Sequence, residues 1–73
     1  MDELLELLKR AVPHVDWLNE ADLTQRGRLD SLDVFALIGE LGANYGIRIL
    51  PEDILPENFA SAGAIQAFLA KYL

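Results

Sequence analysis

From Ser31 to Tyr45 the apolar residues Val34, Leu37, Ile38, Leu41 and Tyr45 recur at the spacing of one helical face, with Phe35 and Gly42 at its flanks. Gly46 follows the last periodic residue, where a helix ends most easily in a left-handed turn. The spacing predicts a helix over 31–45, and the rest of the chain must cover its stripe. Strand-like alternation occurs only in Ile47-Arg48-Ile49-Leu50, and no second strand exists to pair with it. That segment reads as an extended loop whose isoleucines plug the core. The chain is all-α.

Two more helices follow by the same reasoning. Leu4, Leu5, Leu8 and Val12 share a face, with Leu7 and Ala11 beside them. Asp2 is the candidate N-cap, Glu3 and Glu6 suit the first turn, and Lys9 and Arg10 suit the last. Pro13 disfavours helical geometry at Val12 and ends the helix there. Near the other end, Ser61 is a good N-cap for a helix with Ile65, Phe68, Leu69 and Tyr72 on one face and Lys71 in its last turn. Pro51-Glu52-Asp53-Ile54 and Pro56-Glu57-Asn58-Phe59 read as single helical turns with proline at the first position.

Between Pro13 and Asp30 no period holds. A long loop in a small domain is usually functional or disordered. Val15, Trp17, Leu18 and Leu23 are spaced to tether it, so an ordered loop lying over the helices is expected.

With 73 residues the chain is one domain, 1–73, and its core is thin. So short a chain can barely wall a catalytic cleft and pack a core as well, which favours a binding or carrier module over an enzyme. Twelve acidic residues against six basic ones give a net charge of −6. Such a surface repels nucleic acid and anionic membranes, and it suits partners with basic patches. There is no cysteine, hence no disulfide or thiolate metal site. No apolar run approaches the ~18 residues of a membrane span, and the acidic start is unlike a signal peptide. A cytoplasmic protein, without membrane insertion, is expected.

Few residues offer chemistry. His14, the one histidine, has no second histidine to share a metal and reads as an exposed or loop-tethering imidazole. Nothing suggests burial that would push the carboxylate pairs Asp30/Asp33 and Glu52/Asp53 apart in pKa. Trp17 reads as a lid residue beneath the loop. Gly39 and Gly42, inside the second helix, allow either close packing of another element or room for a ligand. There remains Asp30-Ser31-Leu32, where the loop meets the helix. Ser31 can cap that helix, but Asp30 is an equally good cap. An exposed hydroxyl at a helix N-terminus also suits modification by a phosphodiester, because the helix dipole favours the negative charge.

This arrangement resembles the acyl carrier protein family, the phosphopantetheine-binding helical domains. The likeness rests on Asp30-Ser31-Leu32 after Gly27-Arg28-Leu29 and before an amphipathic helix, then on Tyr45-Gly46-Ile47-Arg48-Ile49. Glu52 to Phe59 resembles the family's short third helix, and Ser61 with Ala64-Ile65 and Phe68-Leu69 its last one. The resemblance covers nearly the whole chain. It implies a small bundle of three main helices plus one or two short helical turns. It also implies a 4′-phosphopantetheine arm on Ser31, installed from coenzyme A by a phosphopantetheinyl transferase and holding an acyl group as a thioester. The sulfur that the chain lacks would be imported, and the carrier would not itself be a catalyst. By the same likeness Asp30 and Leu32 take part in recognition by the transferase. Asp33, Glu52 and Asp53 would face the basic patches of loading and acyl-transfer enzymes, the carrier acting as a monomer.

The second helix carries only Asp33 and Glu40, whereas carriers for fatty-acid synthesis often bear several acids there. Gly27-Arg28-Leu29-Asp30-Ser31 is closer to the Gly-x-Leu-Asp-Ser form of D-alanyl carrier proteins. An acyl carrier is the first expectation and a D-alanyl or other aminoacyl carrier the second. An unmodified helical adaptor for a basic partner is the third.

Overall fold

The computed structural model describes residues 2–73. It contains α1 (Asp2–Ala11), α2 (Ser31–Tyr45) and α3 (Ala62–Leu69), with 3₁₀ turns at Pro51–Asp53 and Pro56–Phe59 and no strand among the described residues. No helix among them is long and apolar enough to cross a membrane. α1 packs against α2 and α3, while the Pro56–Phe59 turn packs against α3. The thinnest dimension is 19 Å, about two helix diameters, so every helix has an outer face.

The stripe that predicted α2 supplies Leu37 and Leu41, both fully buried, with Val34, Ile38 and Tyr45 half-buried beside them. Leu4, Leu7 and Leu8 meet them from α1, and Ile65, Phe68 and Leu69 from α3. Phe59 completes the core beneath α3, its ring 5.4 Å from that of Phe68 in a tilted arrangement. Gly46 ends α2 at φ 63°, a left-handed conformation that costs a side-chain-bearing residue energy. Ser61 caps α3 by accepting the Ala64 N–H at 3.0 Å.

The 13–30 loop is ordered by burial and by polar ties. Val15, Trp17, Leu23 and Leu29 are all buried, and the Trp17 indole N–H donates to the Val12 carbonyl at 3.1 Å. Glu20 accepts the Asp16 backbone N–H at 2.8 Å and the Arg28 guanidinium at 2.9 Å. Those two bonds, in that order, hold its carboxyl below the usual range. The Leu23 N–H donates to Ala60 O, which fastens the loop to the approach of α3.

Several expectations are corrected. Leu18 tethers nothing: it is 68% exposed, because the chain turns at 17–19 after Trp17 has filled the core. Asp2 is the first residue of α1 rather than its cap. Lys71 lies beyond α3, which stops at Leu69. Ile47 and Ile49 pack at the core's edge, half-buried, instead of plugging it. Phe35, placed by the sequence at the flank of the stripe, points outward at 63% exposure, since α2 turns one face to the core.

The two helix glycines differ. A Cβ on Gly42 would lie 3.2 Å from the Ile47 carbonyl oxygen, so this glycine lets the returning chain pack closely. A Cβ on Gly39 would meet nothing within 4 Å. Gly39→Ala should therefore stabilise the fold by up to about 1 kcal/mol in urea unfolding, through helix propensity alone. Gly42→Ala should gain less than that or lose stability.

Candidate functional site

The site is built around the start of α2. Asp30 sits in extended conformation (φ −100°, ψ −175°), and its Oδ1 accepts the Asp33 N–H at 2.9 Å. The Asp33 Oδ2 accepts the Asp30 N–H in return at 3.3 Å, which completes a capping box. Asp30 is thus the cap, and Ser31 is the first helical residue, exposed and without a capping bond. Just upstream the buried Leu29 anchors the chain, and the Arg28 and Leu29 N–H groups both donate to the Leu23 carbonyl. Gly27, at φ 73°, allows the tight return that brings them there.

A cleft of about 400 Å³ lies beside this cap. Leu29, Val34 and Phe35 line it from the α2 side, and Ile54, Leu55, Pro56 and Phe59 from the facing segment. Its polar lining residues are Thr24, Asp30 and Ser31. The Thr24 hydroxyl donates to the Pro56 carbonyl at 2.9 Å, so the loop fixes one end of the facing wall.

A tyrosine from the end of the chain holds the other end. The Tyr72 hydroxyl donates to Asp53 Oδ2 and accepts the Leu50 N–H at 3.2 Å. Asp53 O in turn accepts the Asn58 side-chain amide at 2.8 Å. Donation to the Asp53 carboxylate pushes the Tyr72 pKa above its ordinary value, against the opposing effect of the Leu50 N–H.

At the head of α2, Asp30 and Ser31 line the cleft, whereas Leu32, 77% exposed, and Asp33 lie outside its lining. Glu52 and Asp53 precede Ile54 of the cleft lining in sequence but do not themselves line the cleft. Glu52 is exposed, whereas Asp53 is half-buried and spent on Tyr72. Asp33 is likewise engaged by the capping box, with the His14 Nε2 3.5 Å from its carboxylate. His14 tethers the loop, as one of its two readings expected: Nε2 donates to the Arg28 carbonyl at 2.9 Å. Sequence reasoning did not place Thr24, Phe35 or Tyr72 at the site. Phe35 alone left a signal, as the bulky apolar residue off the main stripe of α2. Compared with protein-family models, curated proteins and solved structures, the chain matches none.

Asp30→Ala should cost about 1 kcal/mol in urea unfolding, and Ser31→Ala only a small fraction of that. Tyr72 makes a second prediction, in alkali. Its native pKa is raised, so the stability it confers is complete below the unfolded value of about 10 and is lost as pH rises through the native value. Wild type should lose stability more steeply than Tyr72→Phe across that alkaline range in pH-dependent urea unfolding.

Proposed function

We propose that the chain is a non-catalytic carrier of acyl-carrier type, a bundle that bears a 4′-phosphopantetheine arm on Ser31. One observation carries the reading: a serine hydroxyl relieved of capping by its neighbour is exposed at a helix head beside an apolar cleft. Capping by Asp30 lets Ser31 be modified without unravelling α2. In the loading step the Ser31 Oγ attacks the coenzyme A phosphorus that bears the pantetheine. A phosphodiester forms, the bond to the adenine nucleotide half breaks, and the hydroxyl proton passes to the transferase. The arm would supply a thiol, which would take the acyl group from an activated donor, an acyl adenylate or another thioester, with the adenylate or the donor thiol leaving. Ser31 and the rest of the chain do no further chemistry, and the tether supplies the cargo at high effective concentration.

The dipole at the head of α2 favours a phosphate, while the carboxylates of Asp30 and Asp33 oppose it. A covalent bond, rather than electrostatic capture, therefore holds the group. The apolar lining of the cleft favours an apolar acyl cargo over an aminoacyl one, whose ammonium would lose water there.

On this reading, the surface that partners meet joins exposed apolar residues to the acidic ones expected. Asp33 and Asp53 have partners within the chain, and Leu32 and Phe35 stand out beside Ser31. Loading and transfer enzymes, on this reading, grip Leu32 and Phe35 and use the net charge only for approach. These same two residues support the second reading, an unmodified adaptor that binds a partner through the outer face of α2.

Incubation with a broad phosphopantetheinyl transferase and coenzyme A, followed by intact-mass measurement, separates the two. A gain of one phosphopantetheine in wild type and none in Ser31→Ala is expected. No gain with any transferase would leave the adaptor. Phe35→Ala should raise the transferase KM about tenfold with little change in urea midpoint, consistent with loss of an exposed aromatic anchor.

A further inference from the structure

His14 and Arg28 are joined in both directions across the loop. The Arg28 guanidinium donates to the His14 carbonyl at 2.7 Å, and the His14 Nε2 donates to the Arg28 carbonyl at 2.9 Å. Because a carbonyl only accepts, Nε2 carries a hydrogen in this arrangement. The same Nε2 lies 3.5 Å from Asp33 Oδ2, the carboxylate that completes the capping box. His14 therefore touches the chain on both sides of Ser31: the residue three before it and the residue two after it. Neither contact is buried, since the side chains of His14 and Asp33 are 48% and 25% exposed, so they contribute little to global stability. Their position gives them a different use. The cap fixes Asp30 relative to Asp33, and the buried Leu29 fixes the depth of the chain, but neither restrains the Arg28 carbonyl from outside.

We propose that His14 is a positioning residue for Ser31, holding the 28–33 segment in the geometry that a modifying enzyme must meet. The proposal rests on the reading of Ser31 as the attachment point. His14 touches neither the reacting hydroxyl nor the incoming phosphorus; it acts through Arg28 and Asp33. A side-chain amide at position 14 retains an N–H donor for the Arg28 carbonyl, whereas an aliphatic side chain does not.

Wild type, His14→Gln and His14→Leu are compared in two measurements, with urea unfolding as the control for fold. The first is hydrogen exchange of the backbone amides of residues 29–33 in the unmodified protein. The second is the initial rate of phosphopantetheine transfer at saturating coenzyme A. His14→Leu should exchange these amides faster and lose about tenfold in rate, as loosened geometry costs a transfer step, and His14→Gln should recover most of both. All three should unfold at nearly the same urea concentration. Unchanged exchange in His14→Leu, or equal loss in Leu and Gln variants, would overturn the proposal. Absence of transfer to all three chains would instead count against Ser31 as attachment point, and the exchange data would still decide whether His14 holds the segment.

Discussion

The reciprocal bond pair between Asp30 and Asp33 decides what the head of α2 can do. A helix start leaves four amides without partners, and a short polar side chain normally satisfies one of them. Here that duty falls one residue before the serine. The shift separates two roles that a single serine would otherwise combine: ending the loop and presenting a hydroxyl. Leu29 below, the Leu23 carbonyl behind and His14 outside all serve to keep that junction in one place.

The cleft follows from the thinness of the molecule. With only two helix layers, α2 cannot be covered on every side, and the chain between α2 and α3 makes two 3₁₀ turns instead of a full helix. Those turns have little core of their own: Phe59 is buried, while Leu50 and Leu55 remain partly open. Besides the packing of Phe59, hydrogen bonds from elements distant in sequence fasten them, Thr24 from the loop and Tyr72 from beyond α3. One wall of the cleft is a helix anchored in the core. The facing wall is anchored by Phe59 against α3 and fastened at its ends by these side-chain bonds.

Local rules made much of this legible. Helical periodicity located α1, α2 and α3, and proline at the first position located both short turns, because each signal depends on near neighbours. Gly46 and Ser61 marked helix ends for the same reason. Capping was not decided by composition, since Asp30 and Ser31 are equally competent and only the backbone conformation of Asp30 selects between them. Tertiary choices were legible only in part: Val15, Trp17 and Leu23 anchor the loop as their spacing predicts, but other residues of the same type do not pack. Leu18 and Leu23 look alike as anchors, yet one is exposed and the other fully buried. Phe35, at the flank of its stripe, faces solvent, and Tyr72 both packs on Phe68 and acts as a double hydrogen-bond post. The Asp33 carboxylate is engaged locally, by the capping box with Asp30, whereas the bond of Asp53 to Tyr72 spans nineteen residues and leaves no local signal.

On the proposed reading, Ser31 carries a covalent arm. Intact-mass and fragment analysis of the protein purified from its own cells, with no transferase added, tests it most directly. The account predicts a population heavier by one phosphopantetheine, with fragments placing the group on Ser31. A protein found only unmodified under conditions in which other carriers of the same cells are loaded, or modified at another residue, would contradict it.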